Sequence, residues 1–193
     1  ADSHGPISIM GDHMHKKGKF MFSYRLGKMN MNNVANGTKK IDTNSVMSSP
    51  NGASNNLGNY MNAPISMKMN MHMFGGMYAP SDNLTFMIMT SYQEKVMTQQ
   101  RMPMAGGSRF NVNSSGFSDT RISTLINILN NDLSKTHIGT VLSLPTGSID
   151  QRDTTPASSN TRLGYSMQNG TGTYDALFFL NNINKFGKLK IGE

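Results

Sequence analysis

The feature that most constrains this chain is a period-two alternation of apolar and polar residues, repeated in six segments, with almost no helical spacing between them. Alternation of that period puts successive side chains on opposite faces of a strand. In the first segment Phe20, Phe22, Tyr24 and Leu26 share one face, and Met21, Ser23, Arg25 and Gly27 the other. In the second, Met67, Met69, Met71, Met73 and Met77 oppose Ser66, Lys68, Asn70 and His72. The third sets Leu84, Phe86, Ile88, Thr90 and Tyr92 against Thr85, Met87, Met89, Ser91 and Gln93. The fourth sets Ile122, Thr124, Ile126 and Ile128 against Arg121, Ser123, Leu125 and Asn127. The fifth opposes Ile138, Thr140, Leu142 and Leu144 to His137, Gly139, Val141 and Ser143. The sixth opposes Tyr174, Ala176, Phe178 and Leu180 to Asp175, Leu177, Phe179 and Asn181, and a seventh strand opens near Gly187.

The connections add a second pattern. Long Asn-, Ser- and Gly-rich stretches (32–61, 97–117, 145–172) alternate with short turns at Pro80–Asn83, Asn130–Asp132 and Asn182–Lys185. Long structureless loops are uncommon in a compact soluble domain. They are ordinary in outer-membrane barrels, where short periplasmic turns alternate with longer external loops. A soluble β-sandwich would show the same strand alternation, but the loop pattern favours the barrel. The expected fold is therefore all-β: an antiparallel up-and-down transmembrane β-barrel, incomplete at about six to seven strands, with C-terminal strands missing. Residues 1–18 form a periplasmic Met/His-containing lead-in, and residues 19–193 the N-terminal part of the barrel.

On this reading the apolar faces, the row Met67–Met77 included, meet lipid. The other faces line a lumen with Arg25, Lys68, His72, Arg121, His137 and Asp175, and Met87 and Met89 give that lumen apolar patches. A charge facing lipid near the midplane costs about 2–4 kcal/mol for Arg or Lys, whereas a wet lumen hydrates it. Tyr24, Tyr78, Tyr92 and Tyr174 fall in strands or near strand ends, where an interfacial girdle places such rings.

Composition excludes several chemistries. The 193 residues contain no Cys, so disulfides, thiolate nucleophiles and Cys-based zinc or iron–sulfur sites are ruled out. The net charge of +7 is spread along the chain, not gathered in a block, which argues against a nucleic-acid partner. No Gly-x-Ser-x-Gly elbow and no His-Glu-x-x-His motif occurs, and the carboxylates show no paired arrangement, so no enzyme activity is expected. The 18 methionines include the run Met67–Met73, and Met10-Gly11-Asp12-His13-Met14-His15 lies before the first strand. Thioether and imidazole ligands suit copper(I). His13 and His15, two apart, would converge on one ion if that stretch is extended, with His4 or Asp12 completing the set, whereas alternating methionines serve as apolar filler.

The segments Met10–His15 and Lys19–Arg25 resemble the opening of bacterial outer-membrane proteins labelled "MetA pathway of phenol degradation" or simply transporter. Met71–Met73, Met77–Asp82, Leu142–Asp150 and Gly172–Asp175 are similar to that family in the same order. The resemblance implies an outer-membrane location and the passage of small, aromatic or hydrophobic solutes, with no resident cofactor. It also implies a complete barrel of even strand number, about 10–14. Partners are then outer-membrane lipid and a small-molecule solute. Two alternatives remain: a periplasmic or surface copper-binding protein using the Met/His segments, and a plugged structural barrel with adhesive loops.

Overall fold

The computed structural model describes residues 14–52, 58–131, 133–186 and 189–192. Twelve strands are present among them: β1 (Phe20–Asn32), β2 (Val34–Asn36), β3 (Lys39–Ile41), β4 (Asn62–Ser81), β5 (Leu84–Arg101), β6 (Arg109–Phe117), β7 (Thr120–Asn130), β8 (Ser134–Leu144), β9 (Arg152–Thr155), β10 (Ser158–Arg162), β11 (Asp175–Phe186) and β12 (Leu189–Gly192). One five-residue helix, α1 (Thr43–Met47), lies between β3 and β4. The main sheet is antiparallel and curled into a half-barrel, in the order β1-β4-β5-β7-β8-β11-β12. The helix α1 is too short to cross a membrane, and no other α-helix occurs among the described residues.

Each long strand pairs with the next in sequence, giving an up-and-down meander. The strand beside β5 is broken in two. β6 pairs with Tyr92–Gln100 and β7 with Leu84–Met89, with Ser118 and Asp119 at the break. β1 and β12 form the two ends of the order, so the sheet is open there among the described residues.

Local chemistry sets the turns. Asp82 and Asn83 make a two-residue connection between β4 and β5, as turn-prone residues do. Asn131 Oδ1 accepts the backbone N–H groups of Leu133 and Ser134, closing the β7–β8 turn. The turns after β4 and β7 lie at one end of the meander, and the longer connections at the other.

All six expected strand cores are present, and a further strand begins at Leu189. None of the three expected long loops is structureless. β5 runs on to Arg101 and β6 occupies 109–117, so the connection between them shrinks to residues 102–108. The stretch 145–174 holds the β9–β10 hairpin and folds back onto the sheet. The Asn/Ser/Gly stretch after β1 also forms structure, the small β2–β3 hairpin and α1.

Candidate functional site

Directly paired residues of an antiparallel sheet share a face, so the register fixes both surfaces. One face carries Phe20, Phe22, Tyr24 and Leu26 of β1 opposite Tyr78, Gly76, Phe74 and His72 of β4. It continues through Phe86, Ile88 and Tyr92 of β5, Ile122 and Ile126 of β7, Ile138 and Leu142 of β8, and Phe178 and Leu180 of β11. This face is bare: Phe22 is 86% exposed, Phe178 79% and Ile88 54%. From Leu84 to Tyr92 the band covers roughly 27 Å of strand at ~3.4 Å per residue. At a ~40° tilt that is about 21 Å of height, close to the ~25 Å apolar belt of outer-membrane barrels. Rings cluster near both margins. Phe20 stacks on Tyr78 at 4.3 Å, Tyr24 lies 5.5 Å from Phe74, and Tyr92 meets Phe117 edge-on at 5.4 Å. Beyond the Leu26–His72–Tyr92 rung the same face turns polar, with Lys28, Asn70 and Glu94.

The opposite face is the covered one. β1 brings Met21, Met29 and Met31 to it, β4 brings Met67, Met69, Met71, Met73 and Met77, and β5 brings Met87, Met89 and Met97. Segment 145–171 packs against its upper half. Met167 and Leu163 join Met97 and Val112 in one buried cluster. The Lys95 ammonium, buried, donates to the carbonyls of Gln168 and, at 3.3 Å, Ser166. Asp119 pins the same segment. Its carboxylate accepts the backbone N–H of Gly147 at 2.9 Å and both the N–H (2.8 Å) and hydroxyl (2.9 Å) of Thr171. Gly147 and Gly170 then touch backbone to backbone, and a Cβ on Gly170 would lie 2.3 Å from the Gly147 carbonyl oxygen. A groove of about 390 Å³ remains between segment and sheet, lined by Met73, Met89, Gln93, Lys95 and Arg121 among others.

The register divides the eight residues expected to line a lumen. Arg25, Met87, Met89, Arg121, His137 and Asp175 lie on the covered face. Lys68 and His72 do not: Lys68 pairs with Asn30 and Val96, and His72 with Leu26 and Tyr92, on the outer face. The expectation for Lys68 and His72 is therefore corrected. His72 Nδ1 instead shares a 2.8 Å hydrogen bond with the Tyr24 hydroxyl at the margin of the apolar band. The same pairing moves Met67–Met77 from the expected lipid-facing row to the covered face, beside Arg25.

The six that share a face are not one site. Met89, Arg121 and Asp175 lie along one rung, with Ser143 between the last two. Arg25 lies opposite Met73, one rung above. Asp175 accepts from the Thr173 hydroxyl at 3.2 Å. His137 is far down β8, edge-on to Phe179 at 6.5 Å. Sequence reasoning missed Lys95, Asp119 and Gln168, which organise the inward segment. A lysine followed by Val96 and Met97 in a strand was the available signal for Lys95.

Of the expected metal ligands, Asp12 and His13 lie outside the described residues. His15 is half-buried, and its backbone N–H donates to Thr85 Oγ1 at 3.4 Å. No group of three His, Asp or Glu side chains able to hold a metal occurs among the described residues. Comparisons with protein-family models, with curated proteins and with solved structures find no match.

Proposed function

We propose that this chain is wall of an outer-membrane β-barrel, a passive channel for small solutes that carries out no covalent chemistry. The observation that carries the reading is the bare apolar band, about 21 Å high at a ~40° tilt, with rings near its margins and charge beyond its Tyr92 end. Burying apolar area is worth about 25 cal/mol per Å², and a soluble protein rarely leaves so extensive a face to water. Acyl chains are the medium that would cover it along its whole length. The polar groups on the covered face, Arg25, Arg121 and Asp175 among them, would then meet water inside. Lipid and a small solute are the partners this reading requires, and aromatic or hydrophobic solutes follow from the family resemblance alone.

The inward packing of 145–171 favours one refinement: a passage narrowed by this segment, whose remaining opening is the groove beside Arg121. The test is conductance in planar bilayers. The protein should give discrete channels with a mild anion preference, and Arg25→Glu with Arg121→Glu should shift the reversal potential toward cations. Absence of conductance would leave a plugged wall and remove the channel function. Unchanged reversal potentials would remove these two arginines from selectivity.

A further inference from the structure

Apolar side chains are sorted between the two faces by chemistry. Within the apolar band the outer face uses Phe, Tyr, Leu and Ile, and no methionine of β1, β4 or β5 lies on it. The inner face of the same three strands uses methionine. A surface needing only apolar volume has no reason to separate thioethers from aliphatic groups. The separation culminates at the short-turn end. There Met21, Met77 and Met87 are successive partners across β1, β4 and β5. Met77 and Met87 are each 6% exposed, and Met14 packs against them from the lead-in before β1. Leu125 and Phe179 wall the cluster. The lead-in is held there by the His15 backbone N–H, which donates to Thr85 Oγ1 two residues from Met87.

We propose that Met14, Met21, Met77 and Met87 form a binding site for a soft monovalent cation, copper(I) or silver(I). Thioethers are soft, neutral ligands of the kind copper(I) selects. A buried, uncharged cluster accepts one positive charge far more readily than two, which disfavours zinc. Copper is taken up already reduced, so no electron transfer is involved. The inference rests on this side-chain cluster and is independent of the membrane reading.

The experiment titrates the full chain anaerobically with copper(I), against a chromophoric copper(I) chelator, and with silver(I) by calorimetry. One ion per chain is expected. Met77→Leu with Met87→Leu preserves volume, at a typical cost below about 1.5 kcal/mol per swap, and should weaken binding by about 10-fold or more, at least the loss seen on removing groups that only orient a metal ligand. Met67→Leu with Met97→Leu, in the other methionine cluster, should leave affinity unchanged. Methyl NMR needs no variant: silver(I) should shift the ε-methyl signals of Met14, Met21, Met77 and Met87 and leave that of exposed Met104 in place. No stoichiometric binding, full affinity in the Met77/Met87 variant, or shifts confined to other methionines would each overturn the proposal.

Discussion

Replacing Asp119 by Ala should release segment 145–171 from the sheet without unfolding the sheet. Three donors lose their acceptor: the Gly147 N–H, in a buried residue, and the N–H and hydroxyl of the exposed Thr171. A hydrogen bond to a charged group is worth about 1.5–3 kcal/mol, and a buried donor left unpaired costs about 1–3 kcal/mol. Water re-solvates Thr171, so the Gly147 N–H dominates and the sum is about 2–4 kcal/mol of local closure. At 1.4 kcal/mol per decade that raises the opening equilibrium roughly 30- to 1000-fold. Hydrogen exchange read by mass spectrometry reports this directly. Peptides covering 145–171 should lose protection by about that factor, while those of β4 and β5 stay unchanged. On the channel reading, conductance should rise as well. Undiminished protection of 145–171 would show that Asp119 is not the pin and that the cluster around Met167 holds the segment alone.

Gly170→Ala should have a related effect for a steric reason, since its Cβ would meet the Gly147 carbonyl group and the Asp119 carboxylate at once; proteolysis within 145–171 should accelerate, whereas Gly164→Ala, which meets nothing, should not change it. Lys95→Met should leave the carbonyls of Gln168 and Ser166 without their donor and loosen Met167, visible as faster exchange in 163–169. The Asp150 carboxyl is held below its ordinary range, first by its hydrogen bond from Arg152, then by the charges of Arg152 and Arg162. A folded-state value below the unfolded one makes this contribution complete above about pH 4 and lost as pH falls further. Exchange in 149–162 should therefore quicken below that pH, and Asp150→Asn should be fast at all pH values and lose the acid-dependent step.

The strand cores were legible because alternation is a local property. The relation between faces of neighbouring strands was not, because register depends on pairing. β4 shows why. Its clearest alternation, Met67–Met73, lies mostly beyond the apolar band, where the polarity inverts. Up there the inner face is apolar because Met167 and Leu163 cover it, and the outer face is polar, with Lys68 and Asn70. Within the band the outward residues are Phe74, Gly76 and Tyr78, which continue the row from Phe20 to Tyr24. β6 escaped notice for a similar reason. Only Phe110, Val112 and Phe117 among its nine residues are large and apolar, and its partners come from β5 and from Asp153, which accepts the Asn113 N–H at 2.7 Å. The β9–β10 hairpin is built of Ser, Thr, Asp, Asn and Arg, held by side-chain hydrogen bonds that no hydrophobic pattern announces.

The central claim is that the outer face meets lipid and the methionine face does not. The chain lacks cysteine, so single cysteines at consecutive positions 85–92 can be spin-labelled in lipid vesicles and probed with oxygen and a polar nickel chelate. Labels at Phe86, Ile88 and Thr90 should be open to oxygen and shielded from nickel, and labels at Met87, Met89 and Ser91 should reverse or lose that preference. A trace without period two, or one in which Phe86 and Ile88 are the nickel-accessible sites, would contradict the account.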